Sequence, residues 1–230
     1  MSEKIEVVVK NSTDLGEGPH WDDTIQSLYY VDMFVGDVHR YNAVTGEDSR
    51  LDLGDSVASV IIPRQKGGFV VSQKTDLGLL DSWESGKVTS IAKVEADANM
   101  FNDGKVDASG RLWIGNKRTV ADFSSTEIPD LGYPDGMTVD TEGKLWVACF
   151  DAGKVVRLDP ETGKVIRTVK FPCEKITSCC FGGDDFTDLY VTSSKHTMTA
   201  AELEATPLAG SVFKVTGLGV RGRKANMFSG

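Results

Sequence analysis

Glu17, Asn102 and Asp135 each stand five residues ahead of an aspartate that begins a turn: Asp22, Asp107 and Asp140. Ser178 keeps the same offset from Gly183. A fixed offset from a recurring turn puts side chains at one level of a repeating structure, so these four residues converge if the repeats surround a common axis. Glutamate, aspartate and asparagine oxygens are hard ligands, suited to Ca²⁺, Mg²⁺ or Mn²⁺. Glycine directly after Glu17, and again after Asp135, lets the backbone turn tightly beside such a site. Asp-Gly and Glu-Gly pairs are also ordinary turn formers, so the spacing leaves a purely structural role open. The register shared by three repeats weighs against that role.

The elements that must position these residues are short strands. Asp107-Ala-Ser-Gly-Arg-Leu-Trp-Ile-Gly and Asp140-Thr-Glu-Gly-Lys-Leu-Trp-Val-Ala are near copies of one turn-and-strand pattern. Looser copies start at Asp22, Asp184 and Pro63. Each reads as a tight hairpin between two strands. Further strands and turns follow, most clearly Val155–Leu158, the turn Asp159-Pro-Glu-Thr-Gly-Lys, and Val165–Phe171. Four short strands recurring about every 40–45 residues are the signature of a β-propeller blade. The turns at Asp22, Lys66, Asp107, Asp140 and Asp184 are 44, 41, 33 and 44 residues apart. The short step falls on Asn116–Gly132, which has no alternating apolar run where two outer strands are expected. Helical periodicity is confined to a turn at Thr199–Ala205. The expected fold is all-β, one propeller domain over 1–230 with four-stranded blades.

Composition narrows the function. A net charge of −9 repels nucleic acid and anionic membrane alike, so neither is an expected partner. No stretch approaches the roughly 18 apolar residues of a membrane span, and the N-terminus lacks the apolar region of a signal peptide. The expected location is cytoplasmic. Cys149, Cys173, Cys179 and Cys180 include no C-x-x-C pair and no histidine at zinc-finger spacing, so they read as reduced structural thiols. His20, His39 and His196 lie far apart and suggest no serine-hydrolase triad. Trp21, Trp113 and Trp146 read as core, and Lys105 and Lys144 as solvated turn residues.

At the site motifs the chain resembles a known family. Gly16-Glu-Gly-Pro-His-Trp, Phe101-Asn-Asp-Gly-Lys-Val-Asp, Tyr133-Pro-Asp-Gly-Met-Thr-Val-Asp, Leu145-Trp-Val-Ala, Thr177-Ser-Cys-Cys-Phe-Gly-Gly and Val215-Thr-Gly-Leu-Gly-Val-Arg-Gly are similar to the regucalcin (senescence marker protein), gluconolactonase and luciferin-regenerating enzyme family. The resemblance implies a six-bladed propeller with one divalent metal (Ca²⁺, Zn²⁺, Mn²⁺ or Mg²⁺) at the channel mouth. It also implies hydrolysis of sugar lactones or related esters. By residue-wise match, Glu17 and Asp135 are metal ligands, Asp135 is also the proton donor and acceptor, and Asn102 contacts substrate.

The chain departs from the family pattern in several places. The S-N-G segment that carries the middle metal ligand is absent. A substrate-binding glutamate has no counterpart, since the chain reads Gly115-Asn-Lys-Arg there. Met100 stands where the family commonly has arginine. About one blade is missing near 116–132, so the expected form is five blades or an incomplete ring. A metal-dependent lactonase, a calcium-binding regulatory protein without catalysis, and a shortened variant with impaired folding are the three readings compatible with this pattern. Oligomeric state is left open by the sequence.

Overall fold

The computed structural model describes residues 3–54, 57–93, 100–114 and 131–230. Nearly all of the segment 116–132, where the shortening was located, therefore lies outside the described residues.

The chain is all-β, and each of the five hairpin turns found in the sequence joins two adjacent strands of one antiparallel sheet. The first sheet holds β2 (Gly16–Asp22), β3 (Ser27–Asp32), β4 (Asp37–Asn42) and β5 (Asp48–Asp52) in sequence order. The second holds β6 (Ile61–Pro63), β7 (Phe69–Gln73), β8 (Asp76–Leu80) and β9 (Val88–Lys93). A two-stranded sheet follows, β10 (Gly104–Val106) with β11 (Leu112–Ile114). The next contains β12 (Tyr133–Val139), β13 (Leu145–Phe150), β14 (Lys154–Leu158) and β15 (Val165–Lys170). The last contains β16 (Ile176–Gly182), β17 (Asp188–Ser193) and β18 (Val212–Thr216), and its fourth strand is β1 (Lys4–Val9) from the start of the chain. The helical turn anticipated near residue 199 is α1 (Ala200–Ala205), where Thr199 and Glu202 form a capping box.

Burial explains why the strands differ in composition. All seven residues of β16 are buried, as are all six of β3. A strand enclosed on both faces gains from an unbroken run of small and apolar side chains. By contrast β15, at the edge of its sheet, alternates in burial: Val165, Arg167 and Val169 are buried or half-buried, while Ile166, Thr168 and Lys170 are exposed. Charged side chains on such an edge discourage pairing with another chain. The cores lie between sheets: Trp146, Val155, Cys179, Phe181, Leu189 and Phe213 form the largest cluster, and each such fully buried side chain contributes about 1.5–3 kcal/mol.

Residues 221–230 form no strand but run across the turns between the first two strands of all five sheets. Arg221 accepts from Thr141 N at 2.8 Å, and Gly222 N donates to Phe186 O at 2.8 Å. Lys224 Nζ pairs with Asp23 at 2.8 Å, and Asn226 Nδ2 donates to Val106 O at 3.0 Å. Phe228 bonds through its backbone to Pro63 and Gln65, and Ser229 N reaches Gly110 O at 3.0 Å. These turns follow the ends of β2, β6, β10, β12 and β16, whereas Glu17, Asp135 and Ser178 lie near the starts of theirs.

Trp21 and Trp146 are core residues as expected, but Trp113 is 63% exposed. It sits on β11, which pairs only with β10 among the described residues, so no described strand covers it. All four cysteines are buried free thiols. Among the described residues no helix is long and apolar enough to cross a membrane.

Candidate functional site

Three of the first strands carry an irregularity at the offset singled out in the sequence. In β2 the pairing passes from Glu17↔Val31 to His20↔Tyr29, so one extra residue is inserted after Glu17. In β12 it passes from Pro134↔Cys149 to Met137↔Val147, with Asp135 inside the irregular step. In β16 it passes from Ile176↔Ser193 to Ser178↔Thr192. A β-bulge re-aims a side chain that a regular strand would alternate up or down. Three bulges at equivalent levels of neighbouring strands turn that level into a site.

The glycines of the two motifs serve different needs. Gly18 adopts φ +54°, open to glycine at little cost, and a Cβ there would lie 2.8 Å from Ser59 O. Gly136 is needed for close approach: a Cβ would meet the Ser178 side chain and stand 2.8 Å from its Cα. Thr177 ties β16 to β2 just beside Glu17, donating from Oγ1 to Gly16 O at 2.6 Å.

Glu17 is 6% exposed and accepts one bond at Oε2 from Gly18 N, 3.1 Å. Burial pushes its carboxyl well above the usual range, and the negative charges of Asp135 and then Asp103 push it further. The Gly18 amide and the Lys105 ammonium act in the opposite direction. Asp135 is half-buried. Thus Glu17, Asp135 and Asp103 share one electrostatic neighbourhood. Asn102 lies in the segment before β10, half-buried next to Asp103, whose Oδ1 accepts from Gly104 N at 2.7 Å. Ser178 is fully buried, and its Oγ has no hydrogen-bond partner among the described residues.

Two members of this neighbourhood were not picked out from the sequence. Asp103 is hidden inside Asn102-Asp-Gly-Lys, where Asn102 drew attention by its offset. Lys105 is solvated as expected, its side chain 48% exposed, but it belongs to β10 rather than to a turn, and its charge acts on Glu17, His20, Cys179 and Cys180. The histidines stay apart: His39 bonds to Asp48 at 2.9 Å and His196 to Asp14 at 2.6 Å. Burial, aided by Lys105, pushes His20 down to about 3, so its imidazole is neutral near pH 7.

The donor set suits a hard cation. A buried carboxylate such as Glu17, whose proton affinity a neighbouring Asp135 raises, gains from a nearby positive ion. A buried hydroxyl without a partner stands at the same level. Among the described residues, no group of three or more His, Cys, Asp and Glu side chains is arranged to hold a metal.

The sequence matches the profile of the SMP-30/Gluconolactonase/LRE-like region over two stretches, 15–118 and 114–195, which meet beside the shortened segment. It is 35% identical to regucalcin of Danio rerio over 297 aligned residues, covering 99% of each chain. That aligned length exceeds the 230 residues here, so the relative carries stretches with no counterpart in this chain. Among solved structures, a luciferin-regenerating enzyme superposes with a TM-score of 0.87 at 26% identity, covering 99% of this chain and 100% of that one. A regucalcin from Agrobacterium tumefaciens, described as a calcium-binding protein, gives a TM-score of 0.85 at 22% identity over 96% of each chain, a likeness of fold.

Proposed function

Because the chain belongs to the SMP-30/gluconolactonase/LRE-like family, we propose that it is a metal-dependent hydrolase of sugar lactones, with its sheets arranged as a five-bladed propeller in one domain. The observation that carries this reading is the shared electrostatic neighbourhood of Glu17 and Asp135, each at a strand irregularity of the same level. The N-terminal strand within the last sheet, and a tail that touches every sheet, support the ring.

Glu17 and Asp135 hold the cation, whose chemistry when bound is to polarise an ester carbonyl and make water more acidic. Glu17, buried and bonded to the Gly18 amide, is the fixed ligand. Asp135, half-buried, accepts a proton from water at its carboxylate and returns it to the departing ring oxygen. Asn102 offers an amide donor and acceptor that orient the substrate hydroxyls. His20, neutral near pH 7, adds no competing charge to the wall. The substrate is a small lactone met in the cytoplasm.

The test uses the full chain stripped of metal. Calcium is titrated by calorimetry, and lactone hydrolysis is then followed with added Mn²⁺ or Zn²⁺. We expect saturable binding and turnover, with Asp135→Ala lowering kcat at least about 10²-fold, the usual effect of losing a positioned acid–base group. Tight binding without turnover would identify a calcium-binding regulator instead. Full turnover by Asp135→Ala, with a cooperative melt, refutes the assigned role.

A further inference from the structure

The end of the strands that carries Glu17 and Asp135 also carries exposed rings. Among the described residues the exposed aromatic side chains are Phe34, Trp113 and Tyr133. Phe34 is 42% exposed on the turn from β3 to β4, beside Val35 at 46%, and Asp32, just before that turn, pairs with Gly16. Tyr133 opens β12 two residues ahead of Asp135. Single exposed apolar side chains are ordinary on a protein surface, but these two rings belong to one connected rim. The Phe34 ring lies on the His196 imidazole, with centroids 4.6 Å apart. The His196 carbonyl accepts from Lys175 Nζ at 2.7 Å. The same ammonium stands 5.8 Å from the centroid of Phe150, which is the cross-strand partner of Tyr133.

The backing of Phe34 is firmly held. His196 Nδ1 bonds to Asp14 Oδ2 at 2.6 Å, and its backbone N donates to Asp14 O and to Ser194 Oγ, each at 2.9 Å. Asp14 is fixed in turn, its N donating to Asp32 Oδ2 at 2.7 Å. Thr197, next in the chain, has φ +62°, an uncommon conformation for a β-branched residue. Its Oγ1 accepts from Lys175 Nζ at 3.0 Å. A ring seated on so constrained a partner has little freedom left to lose when a ligand stacks on it. The chain itself bounds the distance to the candidate site. Asp14 precedes Glu17 by three residues, which span at most about 11 Å, and Tyr133 precedes Asp135 by two, which span at most about 7 Å.

We propose that Phe34, seated on His196, is a specificity-determining residue that takes an aromatic substituent carried by the lactone. This rests on the hydrolase reading above and names its substrate class: a lactone with an aryl group beyond the reacting ring. The chemistry of the rim favours that group. Phe34 and Val35 offer no polar side chain to sugar hydroxyls, whereas an aryl group buries apolar area against them and stacks on the Phe34 ring. The Lys175 ammonium, which would otherwise attract an anionic substituent, is engaged by His196 and Thr197. Phe34 binds the substituent and takes no part in the proton transfers.

The experiment is calorimetric titration of the full chain, with Ca²⁺ present, by two lactams that resist hydrolysis: γ-phenyl-γ-butyrolactam and the parent γ-butyrolactam. Wild type should bind the phenyl compound about 10-fold more tightly, the low end for burying an apolar group of that size. Phe34→Ala should lower that preference about 3–10-fold, the range for one aromatic stack, and leave the parent lactam unaffected. Val44 is 78% exposed on the turn between β4 and β5, at the opposite end of the strands, and Val44→Ala should match wild type. In hydrolysis of the corresponding lactones with Mn²⁺, Phe34→Ala should raise KM for the phenyl compound with kcat near wild type. If Phe34→Ala lacks a cooperative melt, Phe34→Leu, which keeps bulk without the ring, carries the same comparison. Equal affinity of wild type for the two lactams, or a preference kept in full by a cooperatively melting Phe34→Ala, overturns this proposal alone. A preference lost in Phe34→Ala while no lactone is turned over supports the aryl-binding rim and overturns the hydrolase reading. Binding of neither lactam overturns the proposal, and turnover of a bare sugar lactone then shows whether the hydrolase reading stands without it.

Discussion

Gly136 lies against Ser178 so closely that a methyl group on its Cα would stand 2.5 Å from the serine Cβ. This contact joins β12 to β16 one residue beyond Asp135, so the position of the Asp135 backbone depends on glycine there. Gly136→Ala should destabilise the protein by about 1–3 kcal/mol, the cost of overpacking, as measured by urea unfolding. Ser178→Ala should be neutral or slightly stabilising, because it removes a buried hydroxyl with no partner among the described residues. A Gly136→Ala variant as stable as wild type would show that the two strands part freely.

Glu17→Gln separates the cost of a buried charge from its use. A neutral amide of the same shape removes the desolvation burden described above. The metal-free variant should therefore melt at the same or a higher temperature at pH 8, while calcium binding is lost. A lower melting temperature together with unchanged binding would contradict both parts.

His20 gives the metal-free protein an acid sensitivity with a definite sign. Its folded value is about 3 against an ordinary 6.5, so between those limits the unfolded chain binds more protons than the folded one. Stability is then fully present above about pH 6.5 and falls as pH drops toward 3. His20→Gln should flatten that part of the melting-temperature profile, measured by calorimetry between pH 7 and 4.

Asp140 and Asp107 occupy matching places in the two near-identical turns and should respond unequally. Asp140 is fully buried and accepts from Trp146 Nε1 at 3.0 Å and Arg157 Nε at 2.8 Å. Although burial raises its proton affinity, the bonds from Trp146, the Lys144 amide and Arg157 bring its carboxyl below the usual range. Asp140→Ala leaves a largely buried guanidinium without that partner and should cost about 3–5 kcal/mol. Asp107 accepts from Trp113 and Arg111, whose side chains are both exposed, and Asp107→Ala should cost about 1 kcal/mol or less. Chemical denaturation of both variants decides the comparison.

Phe228 tests the tail. It packs against the cluster of Val60, Ile62 and Val70, with Val106 and Leu112 alongside, so it links the β6 and β10 sheets. Phe228→Ala should destabilise by about 2 kcal/mol, at the low side for a large-to-small change because the ring is only partly buried. Amide exchange in Gly104–Val106 should accelerate more than in Ile176–Gly182.

Much of this architecture was legible because its turns carry strong local chemistry. Asp22, Asp107, Asp140 and Asp184 mark true hairpins, and the offset of Glu17 and Asp135 from them corresponds to bulges in both strands. The Asp103–Lys105 contribution was not legible in the same way. It depends on β10 approaching β2 across more than 80 residues of sequence, and no local periodicity records that approach. Trp113 misled for a related reason: its sequence copies that of Trp146, but burial depends on what packs above a strand. The tail escaped notice because Arg221–Gly230 has neither strand nor helix pattern, and most of its partners are backbone groups of distant turns.

That tail also bears on how the protein is made. Phe228 and Ser229 bond to turns near residues 65 and 110, and Lys4–Val9 waits for Val212–Thr216 to complete a sheet. A ribosome must therefore release the chain through Thr216 before the sheet can close, and through Ser229 before the tail can dock. Individual sheets can assemble during translation, but their union is a late event dominated by distant pairings, which are slow to form. Nascent chains stalled before residue 212 would lack both fastenings and expose strand edges to chaperones.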